Sequence, residues 1–285
     1  MKTQIKAGFI KEWLHYSRTF RFLGTIIAIV SCAFSNPLLY RLILMMYDSM
    51  LSSPDMAEAL GESGTETFEM AQDMLSSAAV VFPAALNEIC VTGMLVVMLL
   101  MMAAAGGEQK KRATIIPAAA GLDYFSYLLP KFVLYPCTVA ALTFICGTGA
   151  GFLCNALFPV GKISAGMILL ASLLCAVYVA FIIAVYISIG VCTSRPGVVT
   201  VLMVVGTSLV MMILSSLNLT KFQPFTLRSL CTGEMFAEDF DLAANAASMI
   251  VGTALSIVIG VIMFFLAYAV LKAKKINNRE DAPEF

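Results

Sequence analysis

Six long apolar runs constrain this chain more than any other feature. A helix that crosses a membrane needs about 20 predominantly apolar residues, and each run is long enough to supply them. Of the 285 residues, 60% are hydrophobic and 13% are charged, whereas soluble domains carry roughly 25% charged residues. The sequence therefore predicts an all-α integral membrane protein with six transmembrane helices in a lipid bilayer. Spans one to six are predicted at Phe22–Met46, Ala78–Ala105, Phe132–Phe158, Ala165–Cys192, Val198–Leu217 and Ser248–Leu271.

The distribution of lysine and arginine predicts how the spans are oriented. These cations are concentrated near the N-terminus, in the segments after spans two and four, and in a tail formed by 272–285. Positively charged loops stay on the cytoplasmic side of a membrane. Both termini are therefore predicted to be cytoplasmic, which agrees with an even number of spans. The cations left for the outer side are Arg41, Lys162, Lys221 and Arg228.

Residues 1–21 precede the first span and predict an amphipathic helix. Apolar and aromatic residues recur there at helical spacing, with lysine, arginine and glutamate between them. A basic amphipathic helix with a tryptophan is typical of a segment that lies in the membrane interface. A simple anchor ahead of the first span, with no mechanical role, is the alternative. The repeating residues are Ile5, Phe9, Trp13, Tyr16 and Phe20.

Two larger segments, 47–77 and 218–247, are predicted to lie on the outer side. Both are acidic, and the first contains no lysine or arginine. An acidic surface attracts cationic substrates, but acidic residues also keep an outer loop soluble, and the sequence leaves both interpretations open. Between the N-terminal helix and the tail, residues 22–271 form one six-helix transmembrane domain.

The basic segment 106–131, between spans two and three, is longer than a turn requires. It is long enough to form a helix of its own, with Pro117 as a helix breaker. One glutamate and two cations share a helix face at three- or four-residue spacing, and two isoleucines follow as an apolar anchor. We predict that this segment docks a soluble partner; the alternative is that its cations only fix the topology. The predicted contact residues are Glu108, Lys111, Arg112, Ile115 and Ile116.

The sequence contains no catalytic or cofactor-binding motif. The Gly161-Lys162 pair lacks the rest of a phosphate-binding loop. A single histidine, His15, excludes a zinc site that needs two histidines, and no nucleophile elbow occurs. We therefore expect no enzyme activity, no cofactor and no metal in this chain. The net charge of zero gives no indication of a nucleic-acid partner.

The eight cysteines show no CxxC spacing. Most fall inside apolar runs, where we expect small buried thiols. Cys154 and Cys231 fall at or beyond the membrane ends, and whether they pair is left open.

Two ionisable residues fall inside the predicted spans. Glu88 lies in span two, about 15 Å along the helix from its outer end at 1.5 Å per residue, and Arg41 lies near the outer end of span one. A carboxylate inside a membrane indicates function by default because its burial is costly. The alternative is a structural pair of Glu88 with Arg41 or Asn87 that ties spans one and two together.

Three glycines in span three, Gly147, Gly149 and Gly151, follow each other at every second position. Small residues allow the backbones of two membrane helices to approach closely. We therefore predict that this part of span three packs tightly against a neighbouring helix.

Four stretches of the chain resemble the permease subunits of ABC-2 type transporters, which are exporters with six spans per subunit. FIKEWLHYSRTFRF is similar to the family's interfacial connecting helix, and NPLLYRLI falls late in span one. GGEQKKRATIIP resembles the family's coupling segment, with a glutamate, a basic residue, a small residue followed by Thr114, and a proline. KFQPFTLRSL, after span five, resembles the outer re-entrant segment. The chain departs from the family at Lys111-Arg112, where Lys-Gly is more usual.

The resemblance implies a permease of the bacterial cytoplasmic membrane that pairs with an identical or homologous permease. It also implies two copies of a separate ATPase subunit, which binds ATP and magnesium and docks on a coupling helix within Gly106–Pro117. Two other classes stay open. One is an ion-coupled secondary transporter that uses Glu88, and the other is a membrane sensor or scaffold that transports nothing.

Overall fold

The computed structural model describes residues 2–51, 70, 72, 75–102, 104, 123–193, 195–217, 221–237 and 239–280. Nearly all of these are helical, and among them the one β-type pairing is an isolated bridge between Ser77 and Val160. Ile89–Gly93 form a π-helical turn, and Glu234–Phe236 form a 3-10 turn. The helices are α1 (Lys2–Ser17), α2 (Phe20–Leu51), α3 (Ala78–Glu88), α4 (Met94–Met102), α5 (Tyr124–Leu157), α6 (Ala165–Val191), α7 (Pro196–Ser216), α8 (Pro224–Thr232) and α9 (Leu242–Glu280).

Within the described residues, six helices are long and apolar enough to cross a membrane. Helix α2 is predicted span one, and the continuous helix formed by α3, the π turn and α4 is span two. Spans three, four, five and six are α5, α6, α7 and α9. A helix is suited to lipid because it satisfies its backbone hydrogen bonds internally. The prediction of an all-α protein with the six helices of a multi-pass membrane protein is confirmed. The cytoplasmic position of both termini stays a prediction.

Span three differs from its predicted bounds at its beginning. The apolar run predicts a start at Phe132, but helix α5 begins at Tyr124, after Asp123 in an extended conformation. Lys131 explains the difference, because a lysine normally interrupts an apolar run. Its side chain is here fully buried beside a carboxylate, so the helix continues through it. Span six is also longer than predicted, since α9 continues into the tail as far as Glu280.

The glycines of span three permit close helix packing, as the sequence predicts. A methyl group at Gly151 would lie 2.5 Å from Ile168 Cγ2 on span four and 3.0 Å from the Phe82 ring on span two. A methyl group at Gly147 would lie 3.1 Å from Ser172 Oγ, also on span four. Span three can lie this close to spans two and four because these positions carry no side chain.

Hydrogen bonds fix the loop between spans three and four. Asn155 Nδ2 donates to the Ile163 carbonyl at 2.7 Å, and Asn155 Oδ1 accepts from the Ile163 backbone N–H at 2.9 Å. The Ala78 N–H donates to the Val160 carbonyl at 2.9 Å, which joins the beginning of span two to this loop. Gly161 adopts a φ of +61°, a left-handed conformation that favours glycine.

Span four is the most buried of the six spans, and span five is the least buried. Span four packs against spans two, three, five and six and against the short helix α8. Helix α8 itself packs against spans two, four and six, with Leu227, Leu230 and Cys231 buried. Span five exposes large apolar side chains such as Val201 and Met212. Its uncovered surface therefore requires lipid or another apolar surface.

The N-terminal helix, the beginning of span three and the end of span six lie at one end of the bundle. Glu12 of α1 contacts Lys131 near the beginning of span three. The ring centroid of Phe125, on the same part of span three, lies 6.2 Å from that of Tyr268 near the end of span six. The loop between spans three and four lies at the other end.

Candidate functional site

The residues predicted to contact an ATPase lie outside the described residues. The stretch 105–122 contains the five predicted contact residues and Thr114 of the resembling segment, and the structure describes Ala104 before it and Asp123 after it. The candidate site is therefore built from the contacts that hold these borders and from the polar groups inside the bundle. The six undescribed residues are Glu108, Lys111, Arg112, Thr114, Ile115 and Ile116.

Lys131 joins three elements at one end of the bundle. Its Nζ lies 3.4 Å from Glu12 Oε1 on α1 and donates to the Ala104 carbonyl at 3.2 Å, at the end of span two. The same ammonium lies 4.9 Å from the ring centroid of Tyr127, one turn earlier on span three, in a cation–π arrangement. The Tyr135 hydroxyl donates to Glu12 Oε2 at 3.1 Å. We call these five residues the Lys131 network.

The charged pair in this network is buried, with side-chain exposures of 3% for Glu12 and 0% for Lys131. Removing each charge from water costs several kcal/mol, and the mutual attraction offsets this only when the other polar atoms are also satisfied. Both carboxylate oxygens of Glu12 have a partner. The Lys131 ammonium also contacts the Ala104 carbonyl and the Tyr127 ring. The sequence predicts Lys131 only as a topology-determining cation, because its partner belongs to a distant segment.

The predicted N-terminal helix is present as α1, but its predicted apolar stripe is divided between two faces. Tyr16 is buried, with the ring centroids of Phe22 and Tyr135 at 5.3 Å and 4.9 Å. This burial raises the pKa of the Tyr16 phenol above its ordinary value. Trp13, by contrast, is 45% exposed. Helix α1 thus packs on span three through Glu12 and Tyr16 and turns its tryptophan outward.

Glu88 is half-buried at the end of α3, directly before the π turn of span two. Such turns are frequent at functional sites. In the part of the chain that the structure describes, Glu88 forms no ion pair with Arg41. The hydrogen bond between spans one and two comes instead from Asn36, whose Nδ2 donates to the Ala84 carbonyl at 3.0 Å.

Asn87 contacts an arginine that the sequence assigns to the outer segment. Arg228 Nη2 donates to Asn87 Oδ1 at 3.1 Å, and Arg228 Nη1 donates to Met211 Sδ at 3.2 Å. Arg228 lies on α8, so its guanidinium ties this short helix to spans two and five. The apolar positions of α8 indicate a buried helix face, but no sequence signal identifies Asn87 as the partner of the arginine.

An apolar cleft of about 540 Å³ lies between spans three, four and six. Among the described residues, no carboxylate, lysine, arginine or histidine lines it, and the side-chain hydroxyls in the lining are those of Thr253 and Ser256. A surface of this kind suits an acyl chain or another apolar group better than a charged ligand. The remaining lining residues are Phe132, Val133, Pro136, Cys137, Ala140, Ala141, Phe144, Leu173, Ala176, Val177, Ala180, Phe181, Ala184, Ile257, Gly260 and Val261.

All eight cysteines are free thiols, so Cys154 and Cys231 do not pair. Cys154 is buried on span three. Cys231 lies instead beside Cys90 and Cys175, and the three sulfur atoms are within 4.8 Å of one another. No sequence pattern predicts this cluster, because its members come from three distant segments without a recognisable spacing.

No protein-family model, curated protein or solved structure matches this chain. The resemblance to ABC-2 permeases therefore rests on the four sequence stretches alone, and the functional interpretation rests on the contacts described above.

Proposed function

We propose that this chain is the permease subunit of an ATP-binding-cassette exporter in a bacterial cytoplasmic membrane. It pairs with a second permease, identical or homologous, and couples to two copies of a separate ATPase subunit. That ATPase binds ATP and magnesium, and the permease forms the substrate path. The six membrane-spanning helices and the four resembling stretches support this class of protein.

The contact of Lys131 with Glu12 and Ala104 is the observation that carries the proposal. The proposed coupling helix, Gly106–Pro117, begins two residues after Ala104, and span three, on which Lys131 lies, follows it. Lys131 therefore fixes the two borders of this segment to each other and to α1. A displacement of the docked segment would move α1, the end of span two and the beginning of span three together. A rigid-body switch moves packed elements together in this way.

Two surfaces support the assignment of a substrate path and a second permease. The apolar cleft between spans three, four and six suits an apolar or amphipathic substrate. The uncovered surface of span five is available to a second permease, and neighbouring apolar helices in a membrane associate through close packing.

A second candidate function is an ion-coupled secondary transporter with Glu88 as the coupling group. Its support is the position of this half-buried carboxylate next to the π turn of span two, without an ion pair among the described residues. Intramembrane carboxylates commonly serve proton or sodium pathways. We favour the ATP-driven exporter because the Lys131 network organises the border of the proposed docking segment.

Purification of the chain from its own membranes, followed by identification of any ATPase subunit that co-purifies, tests the exporter proposal. The double variant Glu108→Arg/Arg112→Glu should insert and fold normally but retain at least about tenfold less ATPase, because charge reversal opposes docking. Lys162→Glu is the matched control, since Lys162 is exposed at the other end of the bundle. A double variant that keeps a full complement of active ATPase would exclude the docking assignment. A wild-type chain that binds no ATPase would exclude the exporter.

A further inference from the structure

The cluster of Cys90, Cys175 and Cys231 brings together three segments of the chain. Cys90 lies in the π turn of span two, Cys175 lies in span four, and Cys231 lies in the short helix α8. The Sγ atoms of Cys90 and Cys175 are 3.5 Å apart, and all three sulfur atoms are within 4.8 Å of one another. All three residues are fully buried.

We propose that these three cysteines form a binding site for a thiophilic divalent metal ion of the zinc and cadmium type. Thiolate sulfur is the ligand that selects such ions over magnesium or calcium. Zinc–sulfur bonds of about 2.3 Å place the sulfurs of a tetrahedral site about 3.8 Å apart. Side-chain movements of about 1 Å or less would bring the present cluster to that spacing. A fourth tetrahedral position is left for water or another ligand.

Charge balance favours a divalent ion over a monovalent one. A divalent ion on three thiolates leaves one net negative charge, and an unbalanced charge is costly inside the bundle. The positive charge of Arg228 is close enough to act on Cys90. The backbone carbonyl of Arg228 accepts a hydrogen bond from Cys231 Sγ at 3.4 Å. Arg228 therefore balances the remaining charge, whereas a monovalent copper ion would leave a second negative charge uncompensated. The three thiol protons leave to solvent when the metal binds.

A second observation at the cluster also indicates a ligand. The hydroxyl of Tyr178, three residues after Cys175 on span four, is buried and has no hydrogen-bond partner among the described residues. It lies close enough to Cys90, Cys231 and the Arg228 guanidinium to interact with all three electrostatically. A buried hydroxyl without a partner needs an explanation, such as a bound water or ion.

The metal would hold α8 against spans two and four. Helix α8 has only nine residues, and without the metal it is held by apolar packing and the contacts of Arg228. Because the three ligands come from three elements, metal binding and the packing of α8 are thermodynamically linked. The site does not depend on whether the chain is an exporter.

Cadmium titration of the purified full-length chain tests the site. The protein is stripped of metal and kept anaerobic with a reductant that does not bind metal, and sulfur-to-cadmium charge-transfer absorption is recorded. We expect one equivalent of Cd²⁺ per chain and a rise in Tm of about 5–10 °C at saturating metal. Cys175→Ser should weaken binding by at least about 100-fold. Cys154→Ser is the control, because Cys154 is equally buried but outside the cluster.

Several results would overturn the proposal. One is a wild-type chain that binds no more Cd²⁺ than Cys175→Ser. Another is a loss of Cd²⁺ affinity in the Cys154→Ser control as large as that in Cys175→Ser. A third is a disulfide between Cys90 and Cys175 that persists in the presence of the reductant. Binding of Cu⁺ without Cd²⁺ or Zn²⁺ would overturn the divalent assignment. If Cys175→Ser does not fold, X-ray absorption of the zinc-loaded wild type identifies the atoms bound to the metal. Three sulfur neighbours at about 2.3 Å support the site, and a shell of nitrogen and oxygen excludes it.

Discussion

Lys131 Nζ and Glu12 Oε1 lie 3.4 Å apart in the interior of a largely apolar helix bundle. The pair joins the N-terminal helix to span three, and the hydrogen bond from Lys131 to Ala104 adds the end of span two. Apolar contacts can slide over one another at little cost, but a buried charge cannot leave its partner without a large penalty. Helix α1 and these two spans should therefore move as one body.

The first prediction concerns the free energy of unfolding of Lys131→Met. This change removes the buried cation beside the Glu12 carboxylate and leaves only the exposed Lys11 near it; breaking a buried pair in this way typically costs about 3–5 kcal/mol. The double variant Glu12→Gln/Lys131→Met removes both charges and should recover a large part of that loss. Lys11→Met is the control, because Lys11 is 56% exposed and lies 4.0 Å from the same carboxylate. Its effect should stay within about 1 kcal/mol.

Unfolding is measured in one detergent for the wild type, Glu12→Gln, Lys131→Met and their double variant, which are the four proteins of a double-mutant cycle, with Lys11→Met alongside. If the double variant loses as much stability as Lys131→Met, the unpaired Glu12 carboxylate is not the cause of the loss. The exporter proposal adds a second expected result. Lys131→Met should lower ATPase stimulation even where the protein is folded, because the borders of the docking segment are no longer held together.

The six spans could be predicted from the sequence because a membrane helix is specified by its own composition. Its backbone is satisfied internally, so apolar length alone indicates the element. Gly151 could be predicted as a packing position because the absence of a side chain is also visible in the sequence of one helix. The beginning of span three could not, since the burial of Lys131 depends on Glu12 in another segment. The Asn87–Arg228 contact and the thiol cluster likewise depend on which helices become neighbours.

The second prediction concerns helix packing at Gly151. Its substitution by alanine places a methyl carbon 2.5 Å from Ile168 Cγ2 and 3.0 Å from the Phe82 ring, so these side chains or the helices that carry them must shift. Overpacking of this kind costs about 1–3 kcal/mol. Gly206→Ala in span five is the matched control, because nothing lies within 4 Å of the added methyl group. Thermal unfolding should separate the two variants, and equal Tm values would contradict the packing.

The third prediction concerns the stability of Glu88→Gln. Because Glu88 forms no ion pair with any described residue, its neutralisation leaves no buried cation unpaired. Removing a half-buried carboxylate should therefore keep the free energy of unfolding within about 0.5 kcal/mol or raise it. Glu234→Gln, at an exposed acidic residue, is the control. A loss of several kcal/mol would reveal a structural pair that these contacts do not include.

The same variant separates the two candidate functions. An ATP-driven exporter should keep its ATPase stimulation in Glu88→Gln, since the coupling passes through the Lys131 network. An ion-coupled transporter would lose transport completely while staying folded. Loss of ATPase coupling in a stable Glu88→Gln protein would contradict our assignment of roles to these two sites.

The last prediction concerns the position of α1 relative to the membrane. Trp13 is the single tryptophan of the chain, so its fluorescence reports on this helix alone. It is 45% exposed, and Ile10 and Leu14 on the same side are 50% and 40% exposed. An apolar face with a tryptophan prefers the boundary between headgroups and acyl chains. We therefore expect stronger quenching in vesicles of lipids brominated near the headgroup than in lipids brominated at the chain end.

Trp13→Phe provides the background for this measurement, because it removes the signal but keeps an aromatic ring. Ile10→Asp is the informative variant. It places a charge on the outward face of α1 without changing Glu12 or Tyr16, so the fold should persist. Quenching by the lipids brominated near the headgroup should fall, because α1 leaves the lipid. Equal quenching by both lipids, or none, would mean that another surface covers Trp13. Quenching that is strongest at the chain end would place α1 inside the bilayer rather than at its interface.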